Sequence, residues 1–325
     1  MNGKFAVPEL NNGVMIRENL LKELDDSSRS AFFISAGKGM GKTTLLCLYA
    51  KMKKNVFWYN ADDSDNDPES FYNNFISAFR GDVSDEESKM YLNPFWIINS
   101  LGNTDISLII DGFESIKNPQ VTDFFKELIL FSPRYTKVII ASREIMPVDF
   151  TELLFRNKIR LIENDAIAFS AKEAEKAFGT ISIEKYIESD GIPYVLAQGS
   201  ESSAAEYYED ILNSLDVDLR NFVCKSVFLT DIYPEICRIA LGISNAEVLI
   251  SQAGCINPIS NTETGDMYYS AGFARYCADM YPETGLRVRR SAFDYCAKNG
   301  RIKEAVIYSA LTGDTENISA VLRNN

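Results

Sequence analysis

The sequence contains no histidine in its 325 residues. This absence excludes Ser-His-Asp and Cys-His catalytic systems, histidine-ligated metal sites and histidine pH switches. Any chemistry must use carboxylates, lysine, arginine, hydroxyl groups and backbone amides. Positive charge is also scarce, since 33 Lys and Arg face 46 Asp and Glu for a formal net charge of −13. That balance argues against a non-specific nucleic-acid binder, which needs clustered cations.

Cysteine pairs and long apolar runs are missing as well. The six cysteines form no C-x-x-C pair, which argues against a zinc site. No apolar run reaches the roughly 18 residues that a membrane helix needs. Residues 1–12 lack the apolar centre of a secretory signal. We therefore expect a cytoplasmic protein with reduced thiols and no membrane partner.

Short apolar runs alternate with helical patterns in the first half of the chain. The predicted strands are 31–34, 55–60, 107–110, 137–141 and 159–162, and the predicted helices include 43–52, one that begins at Asp67, and 121–131. This alternation predicts an α/β domain with a parallel sheet covered by helices on both faces. From about residue 166 helical patterns dominate, apart from one hairpin near 255–269.

An acidic stretch, 62–67, follows the second predicted strand. It superficially resembles a calcium loop, but Pro68 and Asn74 stand where that loop requires Gly and Glu. We therefore expect a solvated loop at the edge of the sheet.

The strongest motif lies between the first predicted strand and the helix that follows it. It fits the P-loop pattern with Ala in place of the first Gly, and it runs Ala36-Gly37-Lys38-Gly39-Met40-Gly41-Lys42-Thr43. Such a loop cradles phosphate oxygens with backbone N–H groups, and the following helix adds its positive end. We predict a nucleotide site here that includes Thr44, with Lys42 on the β and γ phosphates and the Thr43 hydroxyl on Mg²⁺.

Three further residues are candidates for the chemistry. Asp111 ends a buried strand, as a Walker B aspartate does, and would hold Mg²⁺. Gly112 follows it, so the next carboxylate is Glu114, either the base that orients water or a surface residue. Arg143 follows the fourth strand, either as a sensor of the γ-phosphate or as an exposed arginine. No Asn-Lys-x-Asp element is present, which favours ATP over GTP.

Together these segments resemble the ATPase core of the MalT-like, large LuxR-type bacterial transcriptional regulators. Those regulators belong to the signal-transduction ATPases with numerous domains (STAND). The resemblance rests on SAGKGMGKTTLL, VFWYNADDSDNDPESF, IIDGFESIKNP, IIASRE, AFSAKEAEKAF, the G-I-P element at 191–193 and GRIKEAVIYSALTGD near the end. It covers nearly the whole chain and is weakest over 228–285.

The resemblance implies a division of the chain and a mode of action. It places a P-loop domain at 1–165, a small helical subdomain at 166–215, a winged helix at 216–283, and the start of TPR-like repeats at 284–325. In this family ADP is held between the subdomains at rest. An inducer that binds a C-terminal sensor permits exchange for ATP, and the protein then self-associates.

Two base-contact residues and two departures also follow from the resemblance. Pro193 would pack near the adenine, and Arg17 lies in the segment that covers the base. Relatives carry His in the segment matching 267–273, whereas this chain has none, which puts contact from that subdomain to the phosphates in doubt. Gly112, which follows the Walker B aspartate, resembles the pattern of the NACHT ATPases more closely than that of MalT-like proteins. The winged helix is a regulatory part without a basic recognition helix, so we expect no direct DNA binding by this chain. We also expect the chain to be a fragment of a longer regulator.

Three functions compete at this point. The leading one is an ATP/ADP switch with slow hydrolysis and nucleotide-controlled self-association. The second is a turnover ATPase or a kinase acting on a small molecule. The third is a non-hydrolysing scaffold that keeps its nucleotide only for structure.

Overall fold

The computed structural model describes residues 3–10, 13–80, 105–133, 135–198, 203–254, 256, 259–261 and 267–314. The chain divides into two compact units, Met1–Ala168 and Phe169–Asn325. The described part of the first unit is built around a parallel sheet, and that of the second is helical apart from one hairpin. No helix within those ranges is long and apolar enough to cross a membrane.

The sheet of the first unit has five described strands, all parallel to their neighbours. They are β1 (Ala31–Ser35), β2 (Val56–Asn60), β3 (Ile106–Asp111), β4 (Thr136–Ser142) and β5 (Ile159–Ile162). Their order across the sheet is β2-β3-β4-β1-β5. Ser35 of β1 pairs with Ser142 of β4, and Ile110 of β3 pairs with Ile140 of β4. The carboxyl ends of β1, β3 and β4 therefore lie together at one edge.

Helices cover both faces of this sheet. They are α1 (Glu18–Leu24), α2 (Lys42–Met52), α3 (Pro68–Arg80), α4 (Pro119–Phe131), α5 (Thr151–Phe155) and α6 (Asn164–Ile167). Alternate residues of a strand point to opposite faces. Phe33 and Leu108 share a core with α3 and α4, while Phe32 and Ile109 are buried on the other face. The predicted α/β fold and all five predicted strands are confirmed.

The amino-terminal segment packs on β2, the outermost described strand on its side of the sheet. Phe5 contacts the ring of Tyr59, with ring centroids 5.8 Å apart. The ammonium of Lys4 lies 2.8 Å from Asp65 and 2.9 Å from Asp62. Asp65 is fully buried and also accepts a 2.6 Å hydrogen bond from the Tyr59 hydroxyl. The expectation of a solvated acidic loop is therefore wrong at Asp65, because a lysine distant in sequence neutralises its charge.

The second unit contains ten described helices and one hairpin. The helices are α7 (Ala171–Phe178), α8 (Ile183–Ser189), α9 (Pro193–Gln198), α10 (Ser203–Ser214), α11 (Val217–Ser226), α12 (Pro234–Ala240), α13 (Ala246–Ala253), α14 (Ala271–Met280), α15 (Pro282–Lys298) and α16 (Ile302–Thr312). Strands β6 (Ile259–Asn261) and β7 (Met267–Tyr269) pair antiparallel, which confirms the predicted hairpin. The winged helix, the repeat region and the subdomain boundaries stay predictions.

Asp190 joins two helices within the second unit. Its backbone is left-handed, with φ of +50°, and follows the end of α8. Its carboxylate accepts hydrogen bonds from the hydroxyls of Tyr208 and Ser270 and, at 2.9 Å, from the N–H of Gly272 in the first turn of α14. A Cβ at Gly272 would lie 2.5 Å from the Glu188 carbonyl oxygen, so only glycine fits there. An internal carboxylate thus caps the positive end of α14.

Candidate nucleotide-binding site

The predicted P-loop connects the end of β1 to the start of α2. Gly39 and Gly41 have φ of +77° and +82°, a left-handed conformation that favours glycine. Gly41 is the N-cap of α2, whose first helical residue is Lys42. The strand, loop and helix therefore follow one another as the motif requires, and the helix presents its amino end at the carboxyl edge of the sheet.

Lys42 is held inside this loop. Only 8% of its surface is exposed, and its ammonium donates to the Ala36 carbonyl and, at 2.9 Å, to the Gly37 carbonyl. Burial lowers the pKa of Lys42 to about 8, against the opposing effect of Glu114 and Asp111. The amine is therefore a buried cation whose charge is only partly offset by its surroundings.

Thr43 and Asp111 meet beside Lys42. The Thr43 hydroxyl donates to Asp111 at 2.6 Å, and the N–H of Gly112 donates to the same carboxylate at 3.0 Å. Burial raises the pKa of Asp111, an effect reduced by the Thr43 hydrogen bond and by the charge of Lys42. The structure thus brings together the two predicted Mg²⁺ ligands. In the described part of the chain no cluster of three or more Asp, Glu or Cys side chains forms a metal site of its own.

Glu114 and Arg143 are paired with each other. The Arg143 Nε lies 3.1 Å from Glu114 Oε1, and the Arg143 backbone N–H donates to Glu114 Oε2 at 3.0 Å. The side chain of Glu114 is 19% exposed and that of Arg143 is 61% exposed. Both residues lie just beyond neighbouring strands, β3 and β4, and this adjacency brings them into contact.

Two asparagines that the sequence analysis missed tie the loops of this edge together. Asn66, after β2, accepts from the backbone N–H groups of Lys117 and Asn118 at 2.6 and 3.0 Å. Asn164, after β5, accepts from the N–H of Gly37 at 3.0 Å, so a phosphate would compete with it for that amide. Asparagine is common in loops, and no local pattern distinguishes these two.

The other predicted contact residues occupy varied places. Ala36 and Met40 are buried, Lys38 and Thr43 are exposed, and Thr44 is half-buried. Arg17 donates from its guanidinium to the carbonyls of residues 166, 167 and 168, at 3.1 Å for Ala168. Pro193 is the first residue of α9 in the second unit. The roles of Arg17 and Pro193 toward a base stay predictions.

The chain is similar to known proteins in sequence and in fold. No family model matches it. It is 22% identical, over 99% of its length, to the HTH-type transcriptional regulator MalT of Cronobacter sakazakii, and it spans 42% of that protein. Its structure is similar to the Walker-type ATPase of Pyrococcus abyssi, with a TM-score of 0.56, 12% identity, and coverage of 81% of this chain and 96% of that one.

A second solved structure is a STAND protein with a tetratricopeptide repeat sensor from Pyrococcus horikoshii. The TM-score is 0.44 at 15% identity, with coverage of 97% of this chain and 50% of that one. The sequence similarity and the Walker-type fold confirm the resemblance drawn from the motifs: the chain is MalT-like in sequence and has the fold of a P-loop ATPase.

Proposed function

We propose that this chain is the nucleotide-binding switch of a MalT-like transcriptional regulator, which binds ATP and ADP with Mg²⁺ and hydrolyses ATP slowly. The observation that carries the proposal is the burial of Lys42 in a glycine-rich loop at the amino end of α2. A buried cation is costly unless an anion accompanies it. The β and γ phosphates of a nucleotide would supply that anion at a helix end that favours negative charge.

Thr43 and Asp111 fit a Mg²⁺ ion between them. Both are oxygen donors, which Mg²⁺ prefers, and their oxygens are already within 2.6 Å of each other. When bound, Mg²⁺ would neutralise phosphate charge and orient the leaving group. The buried Asp111 carboxylate and the Thr43 hydroxyl would then exchange their mutual hydrogen bond for the metal.

Glu114 is our candidate for the general base. It would accept the proton of the water that attacks the γ-phosphorus, while the bond to the bridging oxygen breaks and that oxygen leaves with the electron pair on ADP. In the structure both of its oxygens are engaged by Arg143. A base that must first leave such a partner supports slow turnover.

The two competing functions differ in turnover. A turnover ATPase or small-molecule kinase would cycle without nucleotide accumulating on the protein, whereas a scaffold would hold nucleotide and never hydrolyse it. We favour the switch because the site combines a complete phosphate loop with a restrained base. Hydrolysis by the wild type separates the cases, since slow turnover supports the switch and no turnover supports the scaffold. Glu114→Gln tests the base: hydrolysis should fall about a hundredfold or more, as for loss of a general base. Unchanged turnover would remove Glu114 from the mechanism.

The first experiment identifies nucleotide released from the purified, denatured protein by chromatography. Near-stoichiometric ADP supports a resting switch. Lys42→Ala should then abolish ADP and ATP binding, because it removes the cation that meets the phosphates. Lys51→Ala is the matched control, since Lys51 is exposed in the last turn of the same helix. A wild-type protein that binds neither ATP nor ADP with Mg²⁺ contradicts the proposal.

We extend this proposal in four respects. ATP controls self-association, an inducer acts through a C-terminal sensor, the protein is cytoplasmic, and this chain does not bind DNA directly. They rest on the likeness to MalT, of which this chain spans 42%. Light scattering of the purified chain with ADP and with a non-hydrolysable ATP analogue tests the first of them. A mass that rises only with the analogue is the expected result. The same mass in both states contradicts it.

A further inference from the structure

The ion pair between Glu114 and Arg143 carries a regulatory inference about the site, one that rests on the proposed function. The guanidinium holds Glu114 Oε1 at 3.1 Å through Nε, and the backbone N–H of the same arginine holds Oε2 at 3.0 Å. One residue thus binds the carboxylate in two independent ways. One of these bonds comes from a side chain that can rotate, and the other comes from a strand end that is fixed.

The two partners differ in freedom to move. The Arg143 side chain is 61% exposed, whereas that of Glu114 is 19% exposed. Lys117 and Glu144 form a second ion pair between the same two loops. This pair and Asn66 fix the loop after β3, so the Arg143 side chain is the part that can turn away.

We propose that the guanidinium of Arg143 pairs either with Glu114 or with the γ-phosphate of bound ATP. ATP, but not ADP, then frees the Glu114 carboxylate, while the backbone N–H of Arg143 keeps it at the edge of the sheet. No covalent bond changes in this exchange of ionic partners. Electrostatic attraction favours the γ-phosphate over Glu114 as the partner of the guanidinium, because a γ-phosphate carries more negative charge than a carboxylate and offers oxygens that match the guanidinium fork.

Competition for one guanidinium has a measurable consequence in binding. Glu114→Gln keeps an oxygen for the Arg143 N–H but removes the charge that competes for the guanidinium. The ratio of the Kd for ADP to the Kd for a non-hydrolysable ATP analogue should therefore rise about two- to fivefold, the range that an exposed ion pair corresponds to. Isothermal titration calorimetry with Mg²⁺ present gives both constants without relying on hydrolysis.

Two matched variants isolate the exchange. Glu144→Gln removes the same charge one residue from Arg143 and should leave the ratio unchanged, because Glu144 pairs with Lys117. In an Arg143→Gln background, Glu114→Gln should have no effect on the ratio, as a double-mutant cycle requires of residues that act through each other.

Three results would overturn the inference. They are an unchanged ratio in Glu114→Gln, an equal rise in Glu144→Gln, or a rise that persists without Arg143. Each would occur in a protein that still binds both nucleotides, whereas failure of the proposed function would appear as loss of all binding in the wild type.

Discussion

The buried lysine of the P-loop should destabilise the nucleotide-free protein. Lowering the pKa of Lys42 from 10.5 to about 8 disfavours its charged form by about 3 kcal/mol, since each pKa unit corresponds to about 1.4 kcal/mol. Lys42→Met removes this cost but leaves the carbonyls of Ala36 and Gly37 without their donor, which costs about 1 kcal/mol for each carbonyl. We therefore expect the variant to be about 1 kcal/mol more stable than the wild type at pH 7.

The pH dependence of this effect has a fixed sign. The pKa of Lys42 is lower in the folded protein than in the unfolded chain, so the unfolded chain binds more protons between pH about 8 and 10.5. The contribution of Lys42 to stability therefore becomes less unfavourable as pH rises through that window. The advantage of Lys42→Met should be largest at pH 7 and should shrink by pH 9.5.

Urea unfolding of the nucleotide-free protein measures this difference. Tryptophan fluorescence reports on the first unit through Trp58, which is buried in β2. Lys51→Met serves as the control, since that exposed lysine of the same helix should leave stability within about 0.5 kcal/mol. A Lys42→Met protein that is less stable than the wild type at pH 7, or a difference that does not change with pH, refutes the reasoning.

Two buried carboxylates give further predictions. Asp65→Ala should cost the first unit about 2–3 kcal/mol in urea unfolding, because it leaves the buried Tyr59 hydroxyl without its acceptor and removes one of the two carboxylates that pair with Lys4. A loss no larger than that of the exposed Asp63→Ala would contradict the importance of this buried carboxylate. Asp190→Ala should cost the second unit about 2–3 kcal/mol, because it removes the acceptor shared by Ser270, Gly272 and Tyr208, of which Tyr208 keeps the Glu188 carbonyl as a second acceptor. Thermal unfolding by circular dichroism measures it, with the exposed Asp279→Ala as control, and equal melting temperatures would rule out a stabilising role.

The strands and the phosphate loop could be predicted because their signals are local. Continuous apolar runs gave the bounds of all five strands to within one residue at each end, and the glycines at 39 and 41 lie where the backbone is left-handed. The order of the strands is not local. Strand β4 lies between β1 and β3 because its two edges hydrogen-bond to these strands in the folded sheet. No spacing along the chain encodes this pairing.

The side-chain partnerships were beyond the sequence for the same reason. Glu114 and Arg143 were each identified as candidates, but their contact follows from the adjacency of β3 and β4. The polar sequence around Asp65 predicts a solvated loop, and its partner Lys4 lies 61 positions earlier in the chain. Arg17 was assigned to the base through the family resemblance, which stays a prediction, and its hydrogen bonds to the carbonyls at the end of α6 had no signal in the sequence.

The hydrogen bond between Gly37 and Asn164 has a mechanical consequence. Asn164 begins the short helix α6, and the first unit ends four residues later, at Ala168. The guanidinium of Arg17 donates to the carbonyls of Ile167 and Ala168 at the end of this segment. The Gly37 amide of the phosphate loop is thus connected, through Asn164 and one helical turn, to the residue at which the chain passes from the first unit to the second.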